Sequence, residues 1–270
     1  MLSYNYANMK KLAIKSAMAD FNMLIVGTHG VGKTYLVTDV ANELNLKLGY
    51  WSASTMDPYI DLVGVPYPDS DGMLKFAMRE DIFEMEMLFF DELNRAPLKV
   101  RNSILELVQF KRINGRELPK LRFVWCAINP PTEDYQVEEL DPALKDRFHV
   151  HCELRSEPDP EYYRSVLKTM KNPFSKDTNK IAARAVQWWE KLQPEEKESI
   201  TPRRLEYICR GWMFDFDIKD MVTEAVPEAQ LSALQRMLEE SNSTKLSASD
   251  MLDPTIIRNR FDDVLDSMWS

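Results

Sequence analysis

Five short apolar runs punctuate the first 155 residues: MLIV at 23–26, LKLGYWSA at 46–53, MLFF at 87–90, RFVWCAI at 122–128 and HVHCEL at 149–154. Each is the length of a strand, and the stretches between them change to helical spacing, as in Leu36, Val37, Val40, Ala41 and Leu44. Buried runs alternating with helices predict an α/β fold with a parallel sheet sandwiched by helices. Ligands of such sheets bind beyond the carboxyl ends of the strands. The opening MLSYNYANMKKLAIKSAM carries its apolar residues at helical spacing and has no signal-peptide core.

SEPDP at 156–160 has the composition of a linker. Beyond it the pattern is helical only. Thr201-Pro202 reads as a helix start, with threonine as cap and proline in the first turn. Trp188 and Trp189 fit the core of this second part. Two more helices are expected after Pro227, separated by the polar connector SNSTKLSAS at 241–249. The second starts at Asp253-Pro254 and carries Ile257, Phe261, Val264, Leu265 and Met268 on one face. The expected organisation is therefore an α/β domain over 1–155, a small all-helical domain over 156–226 and a helical C-terminal tail over 227–270.

Composition narrows the setting. At 270 residues and 44 % hydrophobic content the chain can bury a full core. A formal net charge of −9 supplies no general positive field for nucleic acid. Three widely spaced cysteines, Cys126, Cys152 and Cys209, suggest a reducing compartment. No apolar run approaches the length of a membrane span. The expectation is a soluble, cytoplasmic protein without a membrane partner.

The chemistry begins where MLIV ends. Residues 27–34, GTHGVGKT, fit the phosphate-loop pattern, with Gly27, Gly32, Lys33 and Thr34 at the defining positions. Thr28, His29, Gly30 and Val31 fill the loop, whose backbone N–H groups would converge on phosphate oxygens ahead of a helix N-terminus. His29 is expected to face solvent. Lys33 would neutralise the outer phosphates of ATP, and the Thr34 hydroxyl would sit on Mg²⁺. MLFF ends in Asp91-Glu92, placing an acid where a second Mg²⁺-associated carboxylate belongs, with Glu92 one residue on to polarise a water. The plainer alternative is that this pair caps the helix starting near Pro97. RFVWCAI ends at Asn129, a neutral amide able to hold water against a terminal phosphate, or an ordinary Asn-Pro turn. In LDPALKDRF at 140–148, Arg147 ends a short helix. It either faces that helix's negative end or reaches a neighbouring subunit's phosphates. TPRRL at 201–205 puts Arg203 and Arg204 in a helix's first turn, where cations are unfavourable unless an anion lies near. His149 and His151 share a strand face, but without a carboxylate in spacing they do not make a zinc site.

Taken in order, GTHGVGKT, DLVGVPYPDSDGMLKF, LFFDELNRAP, FVWCAINPP, LDPALKDRF and TPRRL resemble the AAA+ ATPases over about residues 5–215. Within them the chain is similar to the MoxR-like and dynein-related group that includes the NorQ and CbbQ activators. The resemblance implies that Lys33 and Thr34 bind ATP and Mg²⁺, that Asp91 is the Mg²⁺ carboxylate and that Glu92 is the catalytic base. It also implies Asn129 as first sensor, Arg147 as a finger acting in trans, and Arg203 as second sensor on the helical lid, a role Arg204 could exchange. Residues 57–76 lie where the group inserts a segment. Residues 109–120 look like its hairpin before the first sensor, turning at Asn114-Gly115. Lys111, Arg112 and Arg116 would make that tip basic, unless it is only a solvated charged turn.

By this resemblance the chain would form a ring, a hexamer, and remodel or activate a separate client or adaptor, one that often carries a von Willebrand factor A domain in this group. The alternatives are a DNA-acting motor such as a helicase loader, or a GTPase like the McrB restriction subunits, which share the run from Asp91 to Arg95. A nucleic-acid partner is disfavoured by the acidic balance, and the segment AINPPTED departs from the McrB sensor. A small-molecule kinase would not need Asn129, Arg147 and Arg203 together.

Overall fold

The computed structural model describes residues 2–77, 79–130, 139–155, 157–170, 172–222 and 226–240. They divide into two compact units, residues 1–157 and 158–270.

The first unit runs β1 (Leu2–Tyr4), α1 (Tyr6–Met18), β2 (Met23–Val26), α2 (Lys33–Glu43), β3 (Leu48–Ser52), β4 (Val65–Pro68), β5 (Leu74–Ala77), β6 (Met87–Asp91), α3 (Leu98–Phe110), β7 (Arg112–Ile113), β8 (Arg116–Glu117), β9 (Phe123–Ile128), α4 (Pro142–Lys145) and β10 (Val150–Leu154). Six strands form one sheet in the order β1-β10-β2-β9-β6-β3, every neighbouring pair parallel. The five expected strands are all present, and the apolar runs mark the middle of the sheet because both of its faces are covered.

The alternation along each strand sorts the side chains. Leu24, Leu88, Phe90, Val124 and Cys126 pack on one face with Val100, Ile104 and Leu107 of α3. Met23, Ile25, Phe89, Phe123 and Trp125 pack on the other with Met9 and Ala13 of α1 and Leu36, Val37 and Val40 of α2. Burial of each large side chain contributes roughly 1.5–3 kcal/mol.

One element differs from the sequence expectation. The N-terminus is not helical from its start: Leu2–Tyr4 pairs with Cys152–Leu154 at the sheet edge, and the Asn5 side chain then caps α1 by accepting from Asn8 N–H at 3.0 Å. Three residues are too few to show a period of two, and their partner lies 150 residues away.

The segment at 57–76 contains a π-helical turn over Pro58–Val63 and the hairpin β4–β5. Val65, Tyr67 and Leu74 stand exposed on that hairpin. The second hairpin, β7–β8, turns at Asn114-Gly115, both at positive φ (48° and 75°), the conformation that Asn-Gly adopts most readily. The Glu106 carboxylate accepts from the Asn114 and Gly115 N–H groups at 3.2 and 3.3 Å and ties the tip to α3.

The second unit is helical: α5 (Pro160–Lys168), α6 (Thr178–Glu190), α7 (Pro194–Ser199), α8 (Pro202–Met213), α9 (Ile218–Met221) and α10 (Glu228–Glu239). Trp188 and Trp189 are buried in its core, their indole N–H groups donating to Gln230 O at 2.9 Å and Ile200 O at 2.7 Å. Helix α10, the first of the two expected after Pro227, sets Leu231, Leu234 and Leu238 into this same core. The helix expected from Pro254 lies outside the described residues. Among the described residues no helix is long and apolar enough to cross a membrane.

Candidate functional site

Strand β2 delivers the chain into the loop 27–32 at the carboxyl end of the sheet. Gly27 N–H donates to Ile128 O at 3.2 Å, and a Cβ there would lie 3.0 Å from both Leu154 O and Val31 Cγ2. Gly32 sits at φ 93°, a conformation that side chains disfavour, and forms the N-cap of α2 without a capping side chain. His29 is exposed, as expected for a residue inside the loop.

Lys33, the first residue of α2, is buried at 7 % exposure. Its ammonium donates to Gly27 O at 2.6 Å, Thr28 O at 2.9 Å and Asn129 Oδ1 at 2.9 Å. Thr34, next along, donates its hydroxyl to Asp91 Oδ2 at 2.6 Å. Asp91 closes β6, and its second oxygen accepts from Glu92 N–H at 2.9 Å. Glu92 follows at φ 56°, a left-handed conformation uncommon for glutamate, which turns its side chain off the strand direction. Helix α3 has Pro97 as its N-cap and receives no side-chain cap, so Asp91 and Glu92 do not serve as its caps.

Five expected positions thus meet at the ends of three adjacent strands, Lys33 bonded to Asn129 and Thr34 to Asp91, whose carboxylate also accepts from Glu92 N–H. Three further residues belong with them. Ser54, just past β3, donates to Glu92 Oε2 at 2.8 Å, and Arg95 lies 3.6 Å from Glu92 Oε1. Asn94 is buried against Asn129: its Nδ2 donates to Asn129 O at 2.9 Å, and its Oδ1 accepts from Asn129 N–H at 3.4 Å. Ser54 carries no motif signal, because only the return of β3 alongside β6 places it there. Asn94 lies inside the conspicuous run DELNR, so its position was visible in the sequence and its partner was not.

The electrostatics suit a polyphosphate with a hard cation. Burial, and then the negative charges of Asp91 and Glu92, hold the Tyr50 hydroxyl above the usual phenol range and so disfavour its ionisation. One cationic donor on the loop side therefore faces two carboxylates on the β6 side. The Thr34 hydroxyl and the Asp91 carboxylate are oxygen ligands of the kind Mg²⁺ prefers.

Residues 22–150 match the family described as ATPase family associated with various cellular activities (AAA). The likeness is confined to that stretch, which holds the loop 27–34, Asp91, Glu92 and Asn129. The chaperone MoxR1 of Mycobacterium tuberculosis (strain ATCC 25618 / H37Rv) is 30 % identical to it over 159 residues, 55 % of this chain and 40 % of MoxR1. The chain thus spans less than half the length of that relative. The RuvB Holliday junction branch migration motor of Thermotoga maritima shares the fold, with a TM-score of 0.50 at 16 % identity over 86 % of this chain and 68 % of RuvB. A mutant of the same motor gives 0.51 at 15 % identity, covering 87 % and 70 %. As in this AAA+ fold, a parallel six-stranded sheet flanked by helices is followed by a helical region.

The remaining expected site residues are Arg147 and, in the helical unit, Arg203. The Arg147 side chain donates to Gln109 Oε1 of α3 at 2.9 Å and to Ala143 O. The second bond is to a carbonyl of α4, so an interaction with that helix's end is present. Arg203, in the helical unit, is exposed, whereas Arg204 donates to Met221 O at 3.4 Å and lies over the Tyr207 ring. His149, just before β10, and His151 within it are occupied structurally. His149 Nδ1 accepts from Asn22 N–H at 3.0 Å and its ring stacks on Phe21, while His151 Nε2 lies 2.9 Å from Lys145 O.

Proposed function

We propose that this chain is an AAA ATPase that hydrolyses Mg-ATP as a ring and uses the cycle to remodel or activate a protein client. The observation that carries the reading is the pairing of Lys33 with Asn129 and of Thr34 with Asp91, which brings residues from three strand ends together. The loop 27–32, with Lys33, would bind the phosphates. Thr34 and Asp91 would hold Mg²⁺, which when bound neutralises charge on the terminal phosphates. Glu92, kept in place by Ser54, would take the proton from an attacking water. Asn129 would orient that water or the terminal phosphate without adding charge.

Arg147 is proposed to complete a neighbour's site. Its bonds to Gln109 and Ala143, and not to its own Lys33 cluster, are consistent with that assignment. Arg203 is proposed as the lid sensor in preference to Arg204, whose guanidinium is already engaged within the helical unit. The client role extends from the distant chaperone relative. The exposed apolar hairpin β4–β5 suits contact with protein better than with nucleic acid. What RuvB acts on is not carried over at 16 % identity, and a net charge of −9 does not favour it. The client or adaptor is proposed to be a separate chain, with a von Willebrand factor A domain as the first type to test.

The deciding experiment follows phosphate release and particle mass together. Mg-ATP should be hydrolysed, in preference to GTP, and nucleotide should favour a hexameric particle. A purified chain that binds no nucleotide would remove the whole reading.

The hairpin β7–β8 gives a separate expected outcome. Arg112 is paired with Glu117 at 2.5 Å, so Lys111 and Arg116 carry more of the unbalanced charge at the tip. Replacing Lys111, Arg112 and Arg116 together by Ser should leave ATP affinity intact and impair client-stimulated hydrolysis. Nucleotide titration alongside a client-stimulation assay checks it, and a loss of ATP binding would instead put this hairpin at the nucleotide.

A further inference from the structure

The Asn129 amide is held at more points than the reading above requires. A lysine ammonium has donors only, so the Asn129 side-chain atom facing Lys33 Nζ at 2.9 Å must be the oxygen. The Asn129 Nδ2 is left as the donor for a phosphate or a water. The aim of that donor depends on the backbone of Asn129, one residue beyond β9, where the ladder with β6 has ended. Asn94 takes over there. Its side-chain amide meets both backbone groups of Asn129, donating to the carbonyl at 2.9 Å and accepting from the N–H at 3.4 Å. Asn94 and Asn129 are 4 % and 3 % exposed, so water does not substitute easily for either bond.

The other end of this brace matters as much. Asn94 sits in the single 3₁₀ turn Leu93–Arg95 that begins directly after Glu92. We propose that Asn94 is a positioning residue that cross-braces the ends of β6 and β9, so that the Glu92 carboxylate and the Asn129 amide keep a fixed mutual geometry. Asn94 itself touches no nucleotide and acts through Asn129. Its amide is suited to this because it offers a donor and an acceptor side by side, matching the carbonyl and N–H of one peptide segment. Aspartate keeps the shape and the acceptor but puts an oxygen against the Asn129 carbonyl. Alanine leaves both backbone groups buried without partners.

The inference rests on the site being one that hydrolyses ATP, and the test separates the two. The full-length protein is measured as wild type, Asn94→Ala, Asn94→Asp, Asn129→Ala and the Asn94→Ala/Asn129→Ala double variant. Turnover of Mg-ATP, affinity for a fluorescent ATP analogue and thermal melting are read for each. Asn94→Ala should lower kcat by about tenfold to a hundredfold. Its nucleotide Kd should stay within about threefold of wild type. The double variant should be no slower than Asn129→Ala alone, since Asn94 then has no amide left to aim. Asn94→Asp, which preserves volume, should show the same loss of kcat with retained binding, and it carries the test if the alanine variant does not fold. Wild-type turnover in Asn94→Asp, or losses that multiply in the double variant, would overturn the brace while leaving the ATPase reading standing. A wild-type protein without ATP turnover overturns both.

Discussion

Lys33→Ala should abolish nucleotide binding, whereas Glu92→Gln should keep ATP bound and nearly stop its hydrolysis. The two residues follow the ends of β2 and β6 at the same edge of the sheet, so the contrast tests their roles and not merely their location. Lys33 is the buried cation at the start of α2, already collecting three oxygen acceptors, and an anionic phosphate would be a stronger partner than any of them. Removing it takes away attraction to the bound ground state. Glu92 instead acts on water. Glutamine retains an oxygen that can accept the Ser54 bond but cannot take a proton, so geometry survives and basicity does not. General bases of this kind contribute about 10²–10⁴-fold to the rate. A nucleotide titration and a single-turnover assay on each variant separate the outcomes. Wild-type hydrolysis by Glu92→Gln would show that another group activates water. Retained ATP affinity in Lys33→Ala would mean that the loop holds the phosphates by its backbone alone.

What the sequence made legible follows the physics of each element. Strands β2, β6 and β9 are fully buried apolar runs, a signal that needs no knowledge of their partners. The loop 27–34 was legible because phosphate binding demands glycines, a lysine and a hydroxyl at fixed spacing. Asp91 and Glu92 followed because an acid pair at the end of a buried strand has few other uses. The turn at Asn114-Gly115 announced itself through the positive φ at both positions. Contacts made only by long-range return of the chain were not legible. Ser54 meets Glu92 across 38 residues, and Asn94 meets Asn129 across 35, through side chains that would look ordinary in any loop. Strand β1 is three residues long and gains its identity from Cys152–Leu154. Arg203 and Arg204 were equivalent in sequence, and only the engagement of Arg204 with Met221 and Tyr207 distinguishes them.

Arg147→Ala should lower kcat by about 10³–10⁵-fold, or roughly 4–7 kcal/mol of barrier, with little change in ATP affinity. A planar guanidinium stabilises charge that develops on a transferring phosphoryl group, and so it contributes to the transition state more than to binding. In its own subunit the Arg147 side chain is held by Gln109 and Ala143, an arrangement that presents it from the α3–α4 surface and not from the phosphate loop. The expectation that it serves a neighbour is tested by mixing. Arg147→Ala subunits have an intact loop and no finger, while Lys33→Ala subunits have a finger and no working loop. Each variant alone should be inactive. In mixed rings a fraction of interfaces pairs a good loop with a good finger, so hydrolysis should partly return and should peak at intermediate ratios. A finger acting within its own subunit gives no recovery at any ratio. Because strong coupling around a ring can suppress isolated competent interfaces, mixed assembly is first confirmed by mass, and single-turnover hydrolysis is measured instead of the steady state. Mixed rings that form and stay silent in that assay would withdraw Arg147 from the neighbouring site and leave it as a partner of α3 and α4.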